Sequence, residues 1–180
     1  MRNICAAALM ASVLAGIGPA SAEVKDTGAN GFTVVETATI AAPPEKVYAA
    51  FITPAKWWNG KHTFSQNAAN LSFEARAGGC FCETLPGGGS VQHLVVFAAM
   101  PGQGLTLRGA IGPLQAMAME GAMAVALKPA GDGATAFTLT YSLAGYMPGG
   151  MGEWPAITDA VVGEQVVRLK RFVETGSPGE

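Results

Sequence analysis

The sequence predicts an α+β domain: a curved antiparallel sheet of about six to seven strands wrapped around one long C-terminal helix, with two short helices after the first strand. Three observations carry this. Strand-like stretches follow one another from Leu71 to Leu143, separated only by Gly- and Pro-rich turns, a spacing that favours antiparallel hairpins over crossovers. One helical stretch of about twenty residues, Glu153 to Glu174, ends the patterned chain. The sheet's apolar face needs a cover, and that helix is the only element long enough to supply it.

Residues 1–22 have the layout of a secretory leader. Arg2 precedes an apolar run from Ile4 to Ile17, then Gly18-Pro19 and the small triplet Ala20-Ser21-Ala22. The run is shorter than the ~20 residues a spanning helix needs, so the reading is export and cleavage to a periplasmic or secreted chain starting at Glu23, with no stable membrane anchor afterwards. Residues 23–31 are polar and read as a loose start, 32–174 as one domain, and 175–180 as a disordered tail.

Phe32 to Ile40 alternates with β-branched residues and reads as the first strand. Pro44 and Glu45 open a helix with buried positions Val47, Tyr48, Phe51 and Ile52. Thr53-Pro54 stops it, and Ala55–Trp58 reads as the second short helix. Six strands follow: Leu71–Ala75, Gly79–Leu85, Ser90–Met100, Gly104–Gly109, Ala116–Lys128 and Thr135–Leu143. In the last helix Val162, Val166, Leu169 and Val173 recur at helical spacing, and Gly163 interrupts at a cost near ~1 kcal/mol, either for tight packing or for ligand room.

Net charge is −2, with charged residues at 13% and hydrophobic ones at 49%, and no basic run occurs. That argues against nucleic acid and anionic membranes as partners and for a low-charge domain with an apolar interior. A sheet gripping a helix tends to leave a cavity, which suits a small hydrophobic partner.

Ala38 to Trp58, ATIAAPPEKVYAAFITPAKWW, resembles the opening of the START-like (SRPBCC) superfamily, which includes polyketide cyclase/dehydrase-like proteins and lipid-transfer domains. Ala42, Pro43, Val47, Tyr48, Phe51, Pro54 and Trp57 carry the likeness, and it extends over about Phe32 to Glu174. It implies a helix-grip fold around a deep apolar cavity that holds lipid- or polyketide-like molecules; some members are enzymes and many are binding modules. The leader and the Cys80-Phe81-Cys82 run depart from the family pattern.

Cys80 and Cys82 share a strand face. Their Cβ atoms lie roughly 6.5 Å apart in a flat strand, against the ~3.8 Å a disulfide wants, so a bond demands a bulge or kink, which Gly78-Gly79 offers. Four readings stand: buried thiols, a strained disulfide, a redox or nucleophilic dithiol, and a metal site completed by His93 from the paired strand. The structural readings are preferred, with the cysteines against the cavity. Glu83 alternates away from them; if it faces inward it becomes a buried carboxylate with a raised pKa and, with His93, a catalytic candidate. His62 follows the Trp57-Trp58 pair in a loop at one end of the cavity. The ligand contacts expected are Trp57, Trp58, Phe81, Met117, Tyr141, Tyr146 and Trp154, with Gly145–Trp154 as a lid and Gly112–Met119 as a wall. No dinucleotide or phosphate fingerprint occurs, and no cofactor is expected. The function read from this is a carrier or sensor of a small hydrophobe. The alternatives are a cyclase- or hydrolase-like enzyme using Glu83, His93 or a cysteine, and a metal- or redox-responsive protein centred on Cys80/Cys82.

Overall fold

The computed structural model describes residues 21–179. The expected leader lies outside the described residues except for Ser21 and Ala22. Among the described residues no helix is long and apolar enough to cross a membrane.

One eight-stranded antiparallel sheet and a C-terminal helix make the α+β fold. The strands are β1 (Ser21–Gly28), β2 (Gly31–Ile40), β3 (Leu71–Phe73), β4 (Cys80–Thr84), β5 (Ser90–Met100), β6 (Gly104–Arg108), β7 (Ala118–Pro129) and β8 (Thr135–Tyr146), and the helices α1 (Pro44–Phe51) and α2 (Trp154–Thr175). Spatial order is β1-β2-β8-β7-β6-β5-β4-β3. β8 therefore returns to pair with β2.

 

β4 through β7, residues 80–129, form the successive antiparallel hairpins that carry the site.

Eight strands stand where six to seven were expected, because residues 21–28 form an edge strand and not a loose start. β1 carries little apolar alternation: only Val24 is half-buried, and Glu23, Lys25 and Asp26 are exposed. Its order comes from the ladder to β2, with a register shift between Val24 and Asp26. Charged side chains and a bulge are common on exposed sheet edges. β3 is shorter than expected. The second short helix is a single 3₁₀ turn, Pro54–Lys56, followed by similar turns at Gly60–His62 and Ala68–Asn70, the last two capped by the Asn59 and Asn67 side chains.

The core lies between the inner face of the sheet and α2. Phe32, Val34, Ala38 and Ile40 of β2 are buried, as are Val162, Val166, Leu169 and Val173 of α2. Each large apolar side chain removed from water contributes roughly 1.5–3 kcal/mol. Gly176, left-handed at φ 81°, ends α2, and the carbonyl of Gly179 accepts from Arg168 Nη1 at 3.3 Å, so the described part of the expected disordered tail folds back on the helix. Gly163 serves packing: a methyl group there would lie 3.1 Å from Glu36 Oε2 and 3.2 Å from Ala22 Cβ.

Candidate functional site

On β4 the inward residues are Phe81 and Glu83, and the cysteines face outward, half-buried. Cys80 and Cys82 do share a face, but it is the one turned away from the cavity. They are joined as a disulfide with Cα atoms 5.4 Å apart. The distortion sits beyond the expected Gly78-Gly79: Phe81 pairs with Leu94 but Cys82 pairs with Gln92, leaving His93 as the extra residue of β5. The bulge breaks the alternation of β5, so that His93 and Leu94 are both buried although adjacent. His93 therefore points inward, away from the sulfurs, and Cys80, Cys82 and His93 do not assemble into a metal site.

Glu83 and His93 meet instead. Glu83 is 1% exposed and His93 6%. Glu83 Oε2 lies 3.0 Å from His93 Nε2 and accepts the Phe64 N–H at 3.1 Å, while Oε1 accepts the Ser65 N–H at 2.5 Å. Burial pushes the Glu83 carboxyl up, but the hydrogen bonds from Ser65, Phe64 and His93 outweigh it and hold the group below its ordinary value. Burial pushes His93 down, and its contact with Glu83 recovers only part of that. Glu83 is thus ionised and His93 neutral, and the Nε2–H donates to the carboxylate. This corrects the expected raised pKa: an ionised carboxylate already holding three donors is a weak general base. The pair anchors Phe64 and Ser65 to β4 and β5.

Between sheet and α2 lies a cavity of about 30 Å³. That is room for about one water, where a deep cavity was expected. Its wall includes Trp57, Trp58, Phe81, Phe51, Leu169 and one polar residue, Gln165. Glu83, His93, Cys80 and Cys82 are absent from its lining. The aromatic contacts are close: Trp58 to Phe81 5.5 Å, Trp57 to Trp58 5.5 Å and Phe51 to Trp57 5.9 Å between ring centres.

One end of this cavity is latched. The Trp57 carbonyl accepts from Arg168 Nε at 2.9 Å, and Gln165 Oε1 accepts the Asn59 N–H at 2.8 Å. Glu164 accepts from Asn59 Nδ2 at 2.5 Å and pairs with His62 Nε2 at 2.8 Å. Burial pushes the Glu164 carboxyl up, yet Asn59 and His62 win and hold it below its ordinary value. Asn59, Glu164, Gln165 and Arg168 were missed from sequence. The one signal was Gln165, a polar residue inside the Val162/Val166/Leu169 stripe.

Beside the latch a pocket of about 110 Å³ opens between residues 111–114 and the start of α2, walled by His62, Leu114, Trp154, Thr158 and Val161. It adjoins a groove of about 570 Å³ that shares Trp154 and Ile157 and adds Met117, Met147 and Met151. The expected lid and wall meet here. Two expected ligand contacts lie elsewhere. Tyr141 is fully buried, its hydroxyl donating to the Gly109 carbonyl at 3.0 Å and accepting the Ile111 N–H at 3.1 Å, so it braces β8 against the β6–β7 connection. Tyr146 is 70% exposed and lines neither cavity nor groove.

The fold recurs among solved structures. A Rhizobium leguminosarum protein matches with TM-score 0.58 at 17% identity, covering 87% of this chain and 99% of that one. An Arthrobacter aurescens protein matches with TM-score 0.56 at 16% identity, covering 92% and 96%. DynU16, a protein in the dynemicin biosynthetic locus, matches with TM-score 0.53 at 24% identity, covering 81% of this chain and 48% of that one. No family model matches the sequence, and no curated protein matches it. These likenesses show a shared fold.

Proposed function

We propose that this chain is an exported START-like domain of helix-grip architecture that binds a small hydrophobic molecule between its sheet and α2, as a carrier or sensor. The observation that carries the reading is that apolar and aromatic walls follow one another along α2: Leu114 and Trp154 at the pocket against residues 154–161, then Trp57, Trp58 and Phe81 around the inner cavity against residues 162–169. At about 30 Å³ the inner cavity is nearly filled, so a ligand enters by spreading residues 57–62 and 111–117 away from α2. Methionines suit such a mouth, because an unbranched thioether repacks around different shapes. The structural neighbour from the dynemicin locus supports a lipid- or polyketide-like ligand. The Cys80–Cys82 disulfide supports an oxidising compartment, in keeping with the leader.

All three tryptophans of the chain, Trp57, Trp58 and Trp154, flank the cavity or the mouth. Intrinsic fluorescence therefore reports occupancy. Titration with fatty acids and polycyclic aromatic molecules should change the emission saturably, and Val166→Phe, which fills the cavity, should weaken that response at least tenfold. A response that never saturates, or that Val166→Phe leaves intact, sinks the reading.

A further inference from the structure

The Cys80–Cys82 ring encloses Phe81. Two residues of extended strand advance about 6.6 Å, whereas these Cα atoms are 5.4 Å apart. Ring closure therefore shortens β4 by about 1 Å, and the register slips just there, between Phe81 and Cys82. Phe81 packs 5.0 Å from His93, 5.5 Å from Trp58 and 5.8 Å from Phe73, and it lines the cavity. The cysteines lie on the opposite face, half-buried, and Cys82 is flanked across the ladder by Ser72 and Gln92. A disulfide stabilises mainly by constraining the unfolded chain, and the gain falls with the length of the loop it closes. A bond between residues two apart closes a very short loop, so stability alone does not account for it.

We propose that Cys80–Cys82 is a thiol-exchangeable disulfide whose opening frees Phe81 from its place in the cavity wall. The reactant is a dithiol. One of its thiolates attacks a cysteine sulfur, the other cysteine leaves as a thiolate, and the second thiol of the reactant resolves the mixed disulfide. The dithiol becomes a disulfide, and two electrons and two protons pass to Cys80 and Cys82. With the bond open, β4 regains its extended length, and the bulge that turns His93 inward loses its cause. The effect on ligand affinity rests on the binding function proposed above; the exchange itself does not.

The test equilibrates the oxidised protein with mixtures of reduced and oxidised dithiothreitol. Free thiols are trapped by alkylation and counted by intact mass, and the Phe81 and His93 ring signals are followed by NMR. The expected result is that both thiols appear together in the folded protein, that the two rings shift in step, and that the affinity for an apolar probe changes at least threefold. Cys80→Ser/Cys82→Ser should show the open-form ring signals without reductant. If that variant does not fold, the two redox forms of the natural sequence carry the comparison. A bond that stays closed in excess dithiothreitol, reduction that unfolds the domain, or opening that leaves both rings unmoved overturns the proposal. Ring shifts without probe binding in either form would count against the binding function alone.

Discussion

Glu36 of β2 and Asp159 of α2 place two carboxyl groups together beneath the C-terminal helix, and two buried oxygens, Glu36 Oε1 and Asp159 Oδ1, take no hydrogen bond from any other described residue. Burial first, then the Asp159 charge, pushes Glu36 up to about 8. Burial and Glu23 raise Asp159 against the opposing hydrogen bond from Glu36. A carboxyl whose pKa is raised on folding favours the native state below its unfolded pKa, and that advantage is lost as pH rises through the folded value. The window is about pH 4.5 to 8. Glu36→Gln should leave the melting temperature unchanged at pH 5 and raise it at pH 8, at about 2–4 °C per kcal/mol for a chain of this size. Equal shifts at both pH values would show that no proton is shared there.

Glu83 and His93 act with the opposite sign. Both have folded pKa values below the ordinary ones, so their contribution is present at neutral pH and is lost on acidification. His93 loses it first, below about 6.5, and Glu83 below about 4.5. Glu83→Ala strands the Phe64 and Ser65 N–H groups and should cost about 3 kcal/mol in urea denaturation at pH 7. A loss under about 1 kcal/mol would mean that Phe64 and Ser65 are held by something else.

Gly163→Ala tests the packing above Glu36. Alanine in a helix is worth ~1 kcal/mol over glycine, but here its methyl group meets Glu36 Oε2, a contact that remains in a chain starting at Glu23. The single change should give no gain in stability, whereas in the Glu36→Ala background it should stabilise. Additivity of the two substitutions would remove the contact from the account.

The latch should govern access more than stability. Its His62–Glu164 pair is part-exposed, and such pairs contribute about 0–1 kcal/mol. Glu164→Gln should therefore change stability little while raising the association rate of an apolar probe several-fold in stopped-flow fluorescence. An unchanged rate would place the entrance elsewhere.

Local patterns were legible in the sequence, and long-range ones were not. The alternation of Phe32 to Ile40, the proline opening of α1 and the Val162/Val166/Leu169/Val173 stripe each follow from residues close in sequence, and each forms as expected. β1 has almost no alternation to read, since an edge strand with both faces near solvent places few demands on its side chains. The inner face of β4 was undecided because register belongs to a pair of strands, and the bulge at His93 appears only once β5 is laid beside it. The Asn59–Glu164 contact joins positions 105 residues apart, beyond any local pattern. Trp57, Trp58 and Phe81 came together because all three are large and apolar; Tyr141 was misjudged because a buried tyrosine can as well spend its hydroxyl on the backbone.

The most direct measurement of the central claim is a native mass spectrum of the protein after incubation with a mixture of fatty acids and polycyclic aromatic molecules. The account predicts one added small organic mass per chain, displaced by excess of a second apolar ligand and absent in Val166→Phe. The bare chain mass throughout the mixture, with the protein folded, would contradict it.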